Sequence, residues 1–198
     1  MLNLPDSTHW KTKVGTIVHL VFECIMRKDR PGRLRLFQEI ILGKISKPSS
    51  SASIFRFIRW QIYRFGISDK VTVEEIDELL RVAFLGIRPY FSTLNPDGVL
   101  TYTPPENYYN EQRFQITLPS GATISGVIDL LLIWHGRSVC IDLKTQAKKF
   151  SRCELPSNVQ AILYQLATYR QHGLIPTIDF ILVRHAPTDR TPDKHILS

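Results

Sequence analysis

Cysteine is scarce in this chain: Cys24, Cys140 and Cys153 are the three among 198 residues. An odd, widely spaced set of this kind excludes a disulfide framework and a closed zinc site. Long hydrophobic runs are missing as well, since no stretch approaches the roughly eighteen consecutive apolar residues of a membrane helix. The start of the chain, Met1 to Lys13, is polar and carries no hydrophobic signal segment. The expectation is an intracellular, cytoplasmic protein with no membrane partner. Acidic residues are sparse in one region: residues 1–66 hold 12 Lys and Arg against 4 Asp and Glu, and the remainder 13 against 14. The formal charge of +7 therefore arises in the first third. Such asymmetry points to a polyanionic partner, most simply nucleic acid.

What is present suits one soluble domain or at most two small ones, with 43% hydrophobic, 10% aromatic and 22% charged residues. The first half carries helical periodicity. Val14, Ile17, Val18, Val21, Phe22 and Ile25 recur at three-and-four spacing over Lys13 to Arg27, and a second such pattern runs from Arg33 to Ile45. A serine run precedes a third helix over Ile54 to Phe65, and Thr72 with Glu75 forms a capping box opening a fourth that ends near Leu85. Residues 86–110 are rich in proline and read as a long irregular connection. After Tyr109 the period changes to two. Phe114, Ile116 and Leu118 alternate, Ile124 to Trp134 is a longer strand, and His135-Gly136 turns the chain into Ser138 to Thr145, so three strands form an antiparallel meander. A helix over Asn158 to His172, with Ile162, Leu163, Leu166 and Tyr169 inward, ends at Gly173. A last strand covers Ile178 to Arg184, and the tail after Pro187 reads as loose.

Two carboxylates sit where strands should be apolar. Asp129 lies inside Val127-Ile128-Asp129-Leu130-Leu131-Leu132-Ile133, and Asp142 inside Val139-Cys140-Ile141-Asp142-Leu143-Lys144-Thr145. A buried carboxylate is costly unless it is paired, hydrogen-bonded or bound to a metal. Alternation puts Asp142 and Lys144 on one face of their strand. If Ile133 pairs with Ser138 across the hairpin, Asp129 falls opposite Asp142. Two carboxylates this close repel unless a cation sits between them, and a hard divalent ion, Mg2+ or Mn2+, is the natural resident. A lysine beside such an ion can orient an attacking water, which together is equipment for phosphodiester hydrolysis.

At these residues the sequence resembles the PD-(D/E)XK nuclease superfamily, and within it the RecB-like branch. The resemblance is carried by Gly126-Val127-Ile128-Asp129, by Ile141-Asp142-Leu143-Lys144-Thr145, by Gln160-Ala161-Ile162-Leu163-Tyr164 and, far upstream, by Gly15-Thr16-Ile17-Val18-His19, in the family's order. It implies an α/β, restriction-endonuclease-like core, a central mixed sheet flanked by helices. It divides the chain into a helical N-terminal region (1–90) contributing His19, a connection (91–110) and the nuclease core (111–198). It implies that Asp129, Asp142, the Leu143 carbonyl and His19 ligate the metal, that Lys144 positions the water, and that Gln160 and Tyr164 support the site or the DNA backbone. Gln165 and Tyr169 share that spacing and compete for the last role. Glu23, Thr145 and Glu111 are supporting candidates. Ile128 stands where the family name has proline, a substitution this branch tolerates. Some members hold an iron–sulfur cluster through four cysteines, and with three here none is expected.

The resulting reading is a Mg2+- or Mn2+-dependent deoxyribonuclease, with exonuclease action as one form it can take, acting on single-stranded DNA or duplex ends. Arg56, Arg59 and Arg64, interleaved with Phe55, Phe57, Trp60 and Tyr63, suit a single strand, and Lys148 and Lys149 add basic contacts. A protein partner or a second copy of the chain could complete a short fold. The competing class is a non-catalytic nucleic-acid-binding or assembly module that retains the fold.

Overall fold

The computed structural model describes residues 7–145, 158–183 and 193–197, with backbone alone for Ser7 to His9 and for the last of these segments. Helix α1 (Ser7–Ile25) buries the apolar stripe from Val14 to Ile25, and α2 (Pro31–Ile41) starts on a proline whose missing N–H has no helical partner to lose. A single tight turn, Pro48–Ser50, is pinned by Asp77, whose carboxylate accepts from the Ser49 amide at 2.9 Å and its hydroxyl at 2.8 Å. Helix α3 (Ala52–Arg64) turns Ile54, Ile58, Gln61 and Ile62 inward. The expected capping box opens α4 (Val73–Phe91), with Thr72 and Glu75 each accepting from the other's backbone amide.

Two expectations about the middle of the chain are corrected. Helix α4 continues to Phe91 through Pro89 instead of stopping near Leu85. A proline there forfeits one helical hydrogen bond, but Ile87 and Phe91 are both 0% exposed, and Phe91 meets Phe37 edge-on at 5.0 Å. Burial thus holds the last turn. The region expected to be irregular, 91–110, contains a hairpin, β1 (Ser92–Leu94) and β2 (Leu100–Tyr102), followed directly by β3 (Asn107–Thr117).

Strands β3, β4 (Thr123–Trp134) and β5 (Arg137–Lys144) form the antiparallel meander, with Ile133 opposite Ser138 as the hairpin turn requires. The chain then crosses through α5 (Val159–His172) to β6 (Thr177–Leu182), parallel to β5. The tail expected to be loose supplies β7 (Asp193–Leu197), antiparallel to β6. It satisfies the backbone groups that β6 would otherwise leave unpaired at the sheet edge. The sheet order is β3-β4-β5-β6-β7. It is the mixed sheet of a restriction-endonuclease-like fold, with helices flanking it.

One apolar cluster joins α1, α2, α3 and α4 to Leu130, Leu132, Ile141 and Leu143, while a second joins α5 to Ile128, Leu131, Cys140 and Phe180. Helix α5 presents only part of the side expected of it: Leu163 and Leu166 are half-buried against the second cluster, but Ile162 and Tyr169 turn outward. Ala161, Tyr164, Ala167 and Thr168 are buried, whereas Ile162 is 52% and Tyr169 55% exposed. The small alanines let the helix approach the sheet closely, and Tyr164 is drawn in by a polar partner described below.

The two clusters also reveal an irregularity. Ile128 and Leu130 are two apart and should share a face, yet they belong to opposite clusters, as do Tyr108 and Phe114 on β3. Between those positions the β3–β4 pairing skips Glu111 and Asp129, and Glu111 has φ +54°. A left-handed residue inside a strand turns the pleat over. The β4–β5 pairing likewise ends at Leu130 and Ile141, just short of Asp129. The strands therefore part at one point, and the carboxylates project there.

Helix α1 reaches this point through Gly15, which lies so close to the Thr145 side chain that a Cβ would collide with its hydroxyl oxygen. Gly15→Ala is expected to lower stability by about 1–3 kcal/mol in chemical denaturation. Thr145→Ala in the same chain should restore most of the loss.

Candidate active site

Where the strands part, two groups of polar side chains assemble. In the first, ligand atoms of His19, Glu111 and Asp129 all lie within 4.8 Å of one another. His19 comes from α1, one turn beyond Gly15, and its Nδ1 is 3.5 Å from Asp129 Oδ2. The same Asp129 oxygen accepts from the Leu143 N–H at 2.8 Å. A side chain thus takes the place of the ladder partner that β4 no longer supplies to β5. Asn110, beside Glu111, ties β3 to α1 by donating to the Glu23 carbonyl at 3.1 Å.

In the second group Asp142, 2% exposed, faces α5. Its Oδ2 meets the Lys144 ammonium at 2.6 Å, and its Oδ1 accepts from Gln160 Nε2 at 2.8 Å. The Tyr164 hydroxyl stands 2.8 Å from Asp142 Oδ1 and 2.9 Å from the Val127 carbonyl, either of which it can donate to. Gln160 also accepts from Lys144 Nζ at 2.9 Å. Lysine, carboxylate and amide therefore form a closed triangle, with the tyrosine fixed beneath it. Gly126 supports this from the sheet side. It has no Cβ because the Phe114 ring fills that space, and Phe114 in turn packs edge-on to Tyr164 at 6.0 Å.

The electrostatics follow from three carboxylates in partly dry surroundings. Burial first, and then the charges of Asp129 and Glu23, push the Glu111 carboxyl up to about 6. Burial and the charge of Asp129 also raise Asp142, against the pull of Lys144 and Tyr164. Burial alone would lower His19, but the hydrogen bond and charge of Asp129, with Asp142 and Glu111 behind, raise it overall. Burial and Asp142 keep the Tyr164 hydroxyl protonated far above its ordinary range. Such a site calls for positive charge. Two carboxylates and an imidazole within reach of one point are donors that suit a divalent cation.

The residues singled out in the sequence divide clearly. His19, Asp129, Asp142, Lys144, Gln160 and Tyr164 come together, and Leu143 enters through its amide. The competing pair does not: Tyr169 is exposed, and Gln165 donates to the Pro176 carbonyl at 3.4 Å. Thr145 serves the contact with Gly15. Arg56, Arg59 and Arg64 are exposed on α3, apart from this cluster, and Lys148 and Lys149 lie outside the described residues. Glu111 is more central than its sequence position suggests. Its one signal there is a carboxylate opening an otherwise alternating strand.

The sequence profile of the PD-(D/E)XK nuclease superfamily matches residues 1–185, and the chain belongs to that superfamily, whose members use divalent metal ions. No curated protein matches the chain. Among solved structures, that of a putative exonuclease from Eubacterium rectale is similar at 12% identity and a TM-score of 0.43, over 81% of this chain. The chain spans 58% of the length of that structure.

A raised carboxyl pKa in the folded state means that stability is fully present below the unfolded value and is lost as pH rises through the folded one. Without metal, the Glu111 contribution should therefore fall away between about pH 4.5 and about pH 6. Glu111→Gln should flatten that part of the profile and leave the metal-free protein more stable than the parent at pH 7.5, as read by thermal denaturation in chelator.

Proposed function

We propose that this chain is a metal-dependent deoxyribonuclease of the RecB-like type. The observation that carries this reading is the closed array of Asp142, Lys144 and Gln160 set beside the His19, Glu111 and Asp129 donors at one break in the sheet. Buried charges of this number are expensive for a purely structural or DNA-binding module, which has no use for them.

His19, Glu111 and Asp129 would hold the ion, Mg2+ or Mn2+, with Asp142 and the Leu143 carbonyl as the further ligands the family resemblance implies. When bound, the ion supplies positive charge against the phosphate and the oxyanion that develops during hydrolysis. The rest falls to the chain's own residues. Lys144 has three N–H donors, and among the described residues it turns two of them to Asp142 and Gln160. The third is left to orient a water or a phosphate oxygen. Gln160 keeps the ammonium from collapsing onto Asp142 alone, and Tyr164 fixes the carboxylate rotamer by its hydroxyl. The Leu143 N–H holds the Asp129 oxygen that also faces His19, and so keeps that carboxylate beside His19 and Glu111.

The test is a cleavage panel of linear duplex, circular duplex and single-stranded DNA with Mg2+, Mn2+ or chelator. Cleavage should require the metal, and Asp142→Ala and Lys144→Ala should each lower the rate by about a hundredfold or more. Loss of cleavage on the circular form alone identifies dependence on ends. Metal-independent cleavage, or variants as active as the parent, would overturn the reading.

A further inference from the structure

Helix α3 keeps Arg56, Arg59, Trp60, Tyr63 and Arg64 on its outer side. Trp60 is 52% and Tyr63 78% exposed, unusual for rings that normally bury most of their area. The indole is braced by its neighbours. It lies over Phe57 with ring centroids 6.3 Å apart and planes 24° from parallel, and the Arg64 guanidinium is 5.3 Å from its centroid. The helix contains no acidic residue. Among the described residues no carboxylate pairs with Arg56, Arg59 or Arg64. The result is a row of unneutralised cations alternating with exposed rings.

This row is tied to the active site. Phe65, which ends α3, accepts a hydrogen bond from Lys13 Nζ at 3.0 Å. Two residues along α1, Gly15 touches Thr145, the neighbour of Lys144, and one turn further stands His19. The C-terminal end of α3 is thus linked through Lys13 to the point where the strands part, which His19 reaches six residues further along α1.

We propose that the outer face of α3 is a docking surface for single-stranded nucleic acid led toward Lys144. Bases stack on Trp60 and Tyr63, and Arg56, Arg59 and Arg64 follow the phosphates. The strand's destination rests on the nuclease reading above, but the binding itself does not. A duplex keeps its bases stacked on one another, so it can engage the arginines and leaves the rings unused. An anionic lipid surface would use the same charges, yet three cations and two amphipathic rings on a convex helix offer it little apolar area to insert.

The experiment is fluorescence anisotropy of a labelled single-stranded oligonucleotide and of its blunt duplex with the full chain in chelator, so that no cleavage intervenes. Trp60→Ala and Tyr63→Ala should each weaken single-strand binding about tenfold while changing duplex binding less than about twofold, and Trp60→Phe should retain most of the affinity. Arg59→Ala should lower the salt dependence of both. Circular dichroism checks the fold of each variant, and if Trp60→Ala does not fold, the more exposed Tyr63→Ala decides. Equal weakening on both forms, unchanged single-strand affinity in folded variants, or no single-strand binding by the parent overturns the proposal. So does a Trp60-dependent preference for phosphatidylserine vesicles over the oligonucleotide. Because chemistry is absent from the assay, failure here leaves metal-dependent cleavage intact, and failure of cleavage leaves this binding intact.

Discussion

Glu111, Asp129 and Asp142 carry like charge around a single break in a sheet, and folding holds them there against their mutual repulsion. Each has been given a different remedy. Asp129 takes a backbone amide, from Leu143, and an imidazole, from His19. Asp142 takes an ammonium, an amide and a hydroxyl, from Lys144, Gln160 and Tyr164. Glu111 receives least, and burial together with the charges of Asp129 and Glu23 pushes its carboxyl up to about 6. These partners come from α1, β5 and α5, so no single element of the chain could make the site.

The geometry of the break explains why it can exist inside an otherwise regular sheet. A carboxylate in the middle of a continuous ladder would have to displace a backbone hydrogen bond or lie in one of the apolar clusters. Here the left-handed Glu111 reverses the pleat, β4 leaves β5 after Leu130, and the freed Leu143 amide is satisfied by Asp129 itself. Strain at one residue and the loss of ladder pairs at another are offset by a hydrogen bond to a charged acceptor. The close seat of α1 on Thr145 then closes the site from the other side of the sheet.

How much of this was legible in the sequence depended on whether a local rule governed it. The Ile133–Ser138 register followed from a two-residue hairpin turn, but the ladder stops at Leu130 and Ile141, so Asp129 does not pair opposite Asp142 as that register implied and turns instead to His19 and Glu111. The spacing of Gln160 and Tyr164 put them on one helical face, and their seat on Asp142 separates them from Gln165 and Tyr169. Glu111 was visible only as a supporting candidate, because a positive φ in a non-glycine residue breaks the alternation from which strand faces are read. The inner face of α5 was misjudged in part for a related reason. Hydrophobicity favoured Ile162 and Tyr169, whereas the helix is seated by small alanines and one polar anchor. The continuation of α4 through Pro89 and the pairing of β7 are tertiary effects, set by burial of Phe91 and by an unsatisfied strand edge, neither of which has a local signature.

The charge asymmetry of the chain acquires a physical sense from this arrangement. The basic helices flank a site rich in negative charge, so on the function proposed above a bound cation is required before an anionic substrate can approach the three carboxylates. Binding of a divalent cation by the His19, Glu111 and Asp129 donors is the claim on which the account depends. Titration with Mn2+, followed by the loss of its free-ion electron paramagnetic resonance signal, tests it without reference to cleavage. The account predicts binding by the parent that disappears in Asp129→Asn. A parent that leaves the Mn2+ signal unchanged, or a variant that binds the ion as tightly as the parent, would contradict it.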